Sequence, residues 1–161
     1  MRLDPVATRV EVLLAEVEIP VPFSVEEFCR RVAARRGRPI HLRAIDTVAV
    51  GLPSGTVFGR DDDDVILYDG LTSGYHQAGI ILHEVGHLIA EHYAGSVVGE
   101  DAAEFLLPEI GRHQARRRAD RESYTAQEER EAEYFARRVL ELVSRRSSST
   151  LDSELGSTFG E

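Results

Sequence analysis

Two histidines and a glutamate are set into an otherwise apolar run, Ile80-Ile81-Leu82-His83-Glu84-Val85-Gly86-His87-Leu88-Ile89. At about 100° per residue, His83 and His87 lie roughly 40° apart around a helix axis and one turn along it, so both imidazoles can reach one ion. Glu84 falls on the flank of that pair. A carboxylate there is badly placed to ligate but well placed to take a proton from water, so the spacing H-E-x-x-H points to Zn²⁺-assisted hydrolysis with Glu84 as the catalytic base. The competing reading is a pair of satisfied core histidines. With 6 His and 18 Glu in 161 residues, the motif is expected by accident only about 0.02 times, and accident would not favour the inside of an apolar helix.

Catalytic zinc usually has three protein ligands and one open position. A third histidine on the same helix is excluded, because position 90 is Ala and position 93 is Tyr. His76 and Glu91 share the face of His83 and His87, but either would stretch three ligands over about 11 to 12 Å of helix. His92 is expected to point to the opposite side. The third ligand must come from another element, and Glu128-Glu129-Arg130-Glu131-Ala132-Glu133 supplies four carboxylates in six residues. Glu128 is engaged by a capping box, Thr125-Ala126-Gln127-Glu128. Glu129 and Glu133 are i and i+4 on the face of Ala132 and Ala136, whose small side chains allow close approach to the metal helix. Glu129 is therefore expected to ligate, with Glu133 accepting the second N–H of a ligating histidine. Glu131, on a different face, ranks second as third ligand. Acidic residues at a helix start also complement its dipole.

The elements that must position these groups can be read in chain order. Asp4-Pro5 is an N-cap followed by Pro at the first helical position, opening a helix over Val6 to Val17 that Pro20 and Pro22 stop. Ser24-Val25-Glu26-Glu27 is a capping box opening a second helix, and Gly37 ends it. From Pro39 the periodicity changes. Ile40 to Ile45 alternates, Val48 to Leu52 is short and apolar, and Thr56 to Arg60 and Val65 to Tyr68 flank Asp61-Asp62-Asp63-Asp64, which reads as a hairpin tip rather than a calcium loop. This predicts a small antiparallel sheet of three or four strands, with His41 structural or exposed. The motif helix is expected over Ser73 to Tyr93, packed on that sheet, with Gly86 permitting close approach of neighbouring backbone. Glu100 to Phe105 suggests a short helix, and Arg116-Arg117-Arg118 with Arg121 a solvated face on a short helix. The capping box at Thr125 starts a last helix to about Ser144. The fold class is α+β, a single domain over 1–146, with a polar, aperiodic, disordered tail over 147–161.

Composition narrows the function classes. Net charge is −9, which disfavours direct nucleic-acid binding. No apolar run is long enough to span a membrane, and no export signal is visible. One cysteine, Cys29, excludes an intrachain disulfide, is expected as a small buried apolar residue and fits a reducing cytoplasm.

Ile81-Leu82-His83-Glu84-Val85-Gly86-His87 resembles the H-E-x-G-H helix of the ImmA/IrrE metallopeptidases. Glu129-Arg130-Glu131-Ala132-Glu133-Tyr134-Phe135-Ala136 resembles that family's later E-x-x-A-(N/D)-x-F-A segment, with Glu133 where Asn or Asp is usual. The likeness covers residues 20 to 143, and the L-L-x-P ending common after the second motif is missing. It implies a zincin-like, gluzincin-related fold and a cytoplasmic zinc endopeptidase acting on a protein partner, often a helix-turn-helix repressor, and hence a role in transcription regulation. Alternatives are a zinc-containing protein that sequesters such a regulator without cutting it, or one half of a toxin–antitoxin pair. A donor for the oxyanion is also expected, with Tyr124, His113 and Tyr75 as candidates by proximity in the chain.

Overall fold

The computed structural model describes residues 2–60, 62–92, 117–119 and 124–158. Among these are helices α1 (Pro5–Ala15), α2 (Val25–Arg36), α3 (Gly74–Ile89) and α4 (Ala126–Thr158), and strands β1 (Ile40–Ile45), β2 (Gly55–Gly59), β3 (Asp64–Asp69) and β4 (Arg117–Ala119). The class is α+β. Each helix begins where a side chain accepts from an amide that the helix itself leaves unpaired. Asp4 accepts from the Val6 amide at 3.0 Å, Ser24 from Glu27 at 3.2 Å and Ser73 from His76 at 3.3 Å. At α4 both halves of the capping box form: Thr125 Oγ1 accepts from the Glu128 amide at 3.2 Å, and Glu128 accepts from the Thr125 amide at 2.8 Å.

The sheet has the order β1-β3-β2-β4 and is mixed rather than antiparallel. β2 and β3 form the expected hairpin, Val57 opposite Ile66, but β1 lies parallel to β3, Leu42 opposite Ile66. The reason lies in Val48 to Leu52, which is a turn and not a strand. Asp46 Oδ1 accepts from the Ala49 amide at 2.9 Å, the Leu52 amide donates to the Thr47 carbonyl at 2.9 Å, and Gly51 takes φ 68°. The Asp46 side chain at one end and Gly51 at the other outweigh the β preference of two valines, and Val48 is left exposed. The chain then returns two strand positions away, so that β3 fills the gap beside β1.

β4 corrects a second expectation. Residues 117–119 of the arginine-rich stretch are a strand paired to β2, Phe58 opposite Arg118, and not a helix. Backbone pairing along the free edge of β2 is a long-range gain that local charge patterning does not register. Arg116, Arg121, His113 and the expected helix over Glu100 to Phe105 lie outside the described residues.

α3 packs against β2 and β3 on one side and α4 on the other. Val57 and Ile66 meet Ile81, Leu82 and Val85 in a core that Phe28 and Val32 of α2 and Phe135 and Val139 of α4 complete. At the α3–α4 crossing, a Cβ on Gly86 would come 3.1 Å from Ala132 Cα and 3.2 Å from Phe135 Cβ. The glycine and the alanine therefore set how close the two helices lie, which brings the start of α4 to the histidines. α4 itself runs to Thr158, through the stretch expected to be a disordered tail. No Gly or Pro interrupts 126–155, and Ser147 and Ser148 satisfy their hydroxyls on the carbonyls of Val143 and Ser144, each at 3.1 Å. No helix among the described residues is long and apolar enough to cross a membrane.

Candidate metal centre

α3 presents His83 and His87 toward the first turn of α4. Their Nε2 atoms are 3.2 Å apart. Glu129 reaches across from α4, with one carboxylate oxygen 3.3 Å from His83 Nε2 and the other 3.3 Å from His87 Nε2. One ligand atom from each of the three residues lies within 4.8 Å of the others, and among the described residues this is the group that could hold a metal ion. The donor chemistry fits a first-row divalent cation: two imidazole nitrogens and a carboxylate oxygen converge from two helices. His87 is fully buried and His83 7% exposed, whereas the Glu129 side chain keeps 23% of its surface, so the site opens on the Glu129 side.

Comparison of the chain with family models, with curated proteins and with solved structures returns no match.

Glu84 is buried, 2% exposed, where α3 crosses the start of β2. A Cβ on Gly55 would stand 2.6 Å from Glu84 Oε1 and 2.8 Å from Ile80 Cγ2. Gly55 therefore makes room for the Glu84 carboxylate. In the sequence Gly55 has no role beyond preceding the strand expected from Thr56, because nothing local shows which helix passes over a glycine.

Neither of the two remaining acidic candidates takes the place expected of it. Glu133 is exposed, and the nitrogen of His87 that faces away from the site is met by His92 instead, at 3.0 Å. Glu131 is 2% exposed, yet it faces His92 and not the Glu129 site. The cause is the end of α3. The helix stops at Ile89 instead of Tyr93: the amide of Glu91 donates to the Leu88 carbonyl at 3.2 Å and that of His92 to the His87 carbonyl at 2.9 Å, with Glu91 in the left-handed region at φ 58°. This is a Schellman closure. A straight helix would send His92 away from His87; the reversal brings its Nδ1 to 3.0 Å from His87 Nδ1. The usual signal for such a stop is Gly, and Glu at that position hides it.

Tyr124, one of the three candidate oxyanion donors, stacks its ring on His87 with centroids 3.6 Å apart and planes 7° apart. Tyr75 is exposed at the far end of α3, and His113 lies outside the described residues. The other titratable groups have structural partners. His41 sits 3.0 Å from Asp63, and His76 bonds Thr72 at 2.8 Å. Burial, with a smaller contribution from Glu26, pushes the Cys29 thiol up to about 12, which disfavours the thiolate that a nucleophile or a metal ligand needs. Burial alone would raise the Asp63 carboxyl, but hydrogen bonding and charge from Arg60, with His41, outweigh it and hold the group below its ordinary range.

Proposed function

We propose that this chain is a zinc-dependent endopeptidase of zincin-like fold, acting in the cytoplasm on a protein partner, with a helix-turn-helix repressor as the expected substrate. The observation that carries the reading is the triangle of His83, His87 and Glu129 with Glu84 on the same helix. Ligand atoms arranged tetrahedrally about 2.0 to 2.1 Å from zinc stand roughly 3.3 Å from one another; here the two imidazole nitrogens are 3.2 Å apart and each lies 3.3 Å from a different oxygen of the Glu129 carboxylate, which supports the reading. The substrate class rests on the resemblance of the two motifs to the ImmA/IrrE metallopeptidases, and the charge of −9 disfavours direct DNA contact by this chain.

His83, His87 and Glu129 would hold the ion. Bound there, zinc supplies Lewis acidity that polarises the scissile carbonyl and makes water more acidic. Glu84 takes the proton of the attacking water and hands it to the leaving amine. Gly55 leaves the space in which that carboxylate sits. Of the two described candidates, Tyr124, held against His87, is the one beside the site and the one we assign to stabilising the oxyanion.

One observation favours a second reading, sequestration of the partner without cleavage: Glu84 is only 2% exposed. The two are separated by Glu84→Gln, which keeps volume while removing the base. Zinc content and partner binding stay at wild-type levels under both readings. Incubated with a helix-turn-helix repressor that it binds and followed by mass spectrometry, the wild type yields fragments and Glu84→Gln cuts about 10² to 10⁴-fold more slowly. Wild-type protein that carries zinc, binds the regulator and leaves it whole sinks the peptidase reading for that partner.

A further inference from the structure

Behind His87, away from His83 and Glu129, a second row of buried polar groups continues the site. His92 Nδ1 lies 3.0 Å from His87 Nδ1, and His92 Nε2 lies 2.7 Å from Glu131 Oε2. His92 is 5% exposed and Glu131 2%. Glu131 is held in turn by Arg9 of α1, at 3.3 Å, and accepts from Gln127 Nε2 at 3.2 Å. Arg9 also donates to the Ala90 carbonyl at 2.9 Å, which ties the end of α3 to α1. Three helices thus contribute to fixing one imidazole. Burying these groups is costly unless each donor meets an acceptor, and the arrangement satisfies that condition in a particular order.

The order follows from what each group can do. A carboxylate only accepts, so His92 Nε2 carries the hydrogen and donates it to Glu131. In a neutral ring the other nitrogen, His92 Nδ1, then offers a lone pair, and the atom 3.0 Å away must be the donor. That atom is His87 Nδ1. With its hydrogen on Nδ1, His87 holds its own lone pair on Nε2, the nitrogen that faces His83 and Glu129. Stacking on Tyr124 fixes the plane of the same ring.

We infer that His92 and Glu131 are positioning residues for the metal: the row Glu131, His92, His87 sets His87 in the tautomer that presents Nε2 to the ion. This rests on the zinc reading above and adds to it two residues that neither motif contains in that role. Outer partners of ligating histidines are usually carboxylates or carbonyls, and their loss typically weakens metal binding by about 10 to 100-fold. Here a second histidine is inserted between ligand and carboxylate.

The test measures zinc affinity of the purified full chain by competition with a chromogenic chelator, together with the ¹⁵N NMR pattern of the histidine side chains. His92→Phe fills the space but cannot accept from His87 Nδ1, so it should bind zinc about 10 to 100-fold more weakly. His92→Asn places an amide oxygen near the position of Nδ1 and should recover affinity to within about threefold of wild type, which a role in packing alone does not predict. In the wild type the spectrum should show His87 as the Nδ1–H tautomer. Zinc-loaded wild type with His87 in the Nε2–H form, or a folded His92→Phe with wild-type affinity, overturns the proposal. Should His92→Phe fail to fold, His92→Asn and the wild-type spectrum still decide it: a 10-fold or greater loss in a folded His92→Asn counts against it. Wild type that takes up no zinc removes the metal centre itself and the proposal with it, an outcome recognisably different from an unchanged affinity in the variants.

Discussion

Gly55→Ala tests whether the base and the sheet are joined as described. The added methyl carbon would stand 2.6 Å from Glu84 Oε1 and 2.8 Å from Ile80 Cγ2, where ordinary contact begins near 3.4 Å. The carboxylate oxygen would have to retreat by about 0.8 Å and the isoleucine methyl by about 0.6 Å to restore ordinary packing. Ile80 is 4% exposed and Glu84 2%, so neither can swing into solvent. Overpacking of this kind costs about 1 to 3 kcal/mol, partly offset by the roughly 0.5 to 1 kcal/mol that replacing a strand glycine by alanine returns. At about 2 to 4 °C per kcal/mol for a chain of this size, the net Tm loss should be a few degrees. The carboxylate tip is the movable group, so the functional effect should exceed the structural one. Misplacing a catalytic group by about 1 Å can cost on the order of 10²-fold in rate. Zinc content, melting and cleavage of a bound repressor are to be measured on the same preparation. Full zinc, a small Tm loss and a rate reduced about 10²-fold are expected; wild-type cleavage with an unchanged Tm would show that α3 does not cross β2 at Gly55.

The acidic residues of α4 give a second prediction: Glu129→Gln should lose zinc on dialysis, whereas Glu133→Gln, altering an exposed side chain, should retain it. Equal losses from the two would mean that the helix is phased differently. The third concerns acid stability. Because the Asp63 carboxyl is held below its ordinary range in the folded chain, its contribution is complete above the unfolded value of about 3.9 and disappears as pH falls through the lower folded value. Asp63→Asn should therefore cost less than about 1 kcal/mol at neutral pH, as befits a partly exposed pair, and the two melting curves should converge as pH falls through the lowered folded value. A gap that persists undiminished in acid would assign the effect to packing.

Legibility in the sequence divides according to how far apart the interacting residues lie. The spacing of His83, Glu84 and His87 is a property of one helix, and so are the caps at Asp4, Ser24, Ser73 and Thr125; each follows from turns of 3.6 residues and from amides that must find an acceptor within three positions. Even the pairing of Glu129 with the histidines could be argued before any coordinates, because Gly86, Ala132 and Ala136 mark the small faces through which two helices approach. What the chain did not disclose depends on partners distant in sequence. The parallel placement of β1 beside β3 required knowing that Val48 to Leu52 turns. The strand at 117–119 required the edge of β2. The return of His92 onto His87 depended on a helix stop at a glutamate, stabilised from outside by Arg9, which lies 81 positions before the carbonyl it binds. Glu131 looked like a spare ligand because periodicity places a side chain on a face but cannot say what that face meets. The role of Gly55 was hidden for the same reason: the carboxylate it accommodates lies on another element, and only the docking of α3 on the sheet brings the two within contact. Local geometry repeats with the backbone and can be counted from residue to residue, whereas docking depends on the summed fit of many side chains, which no single stretch contains.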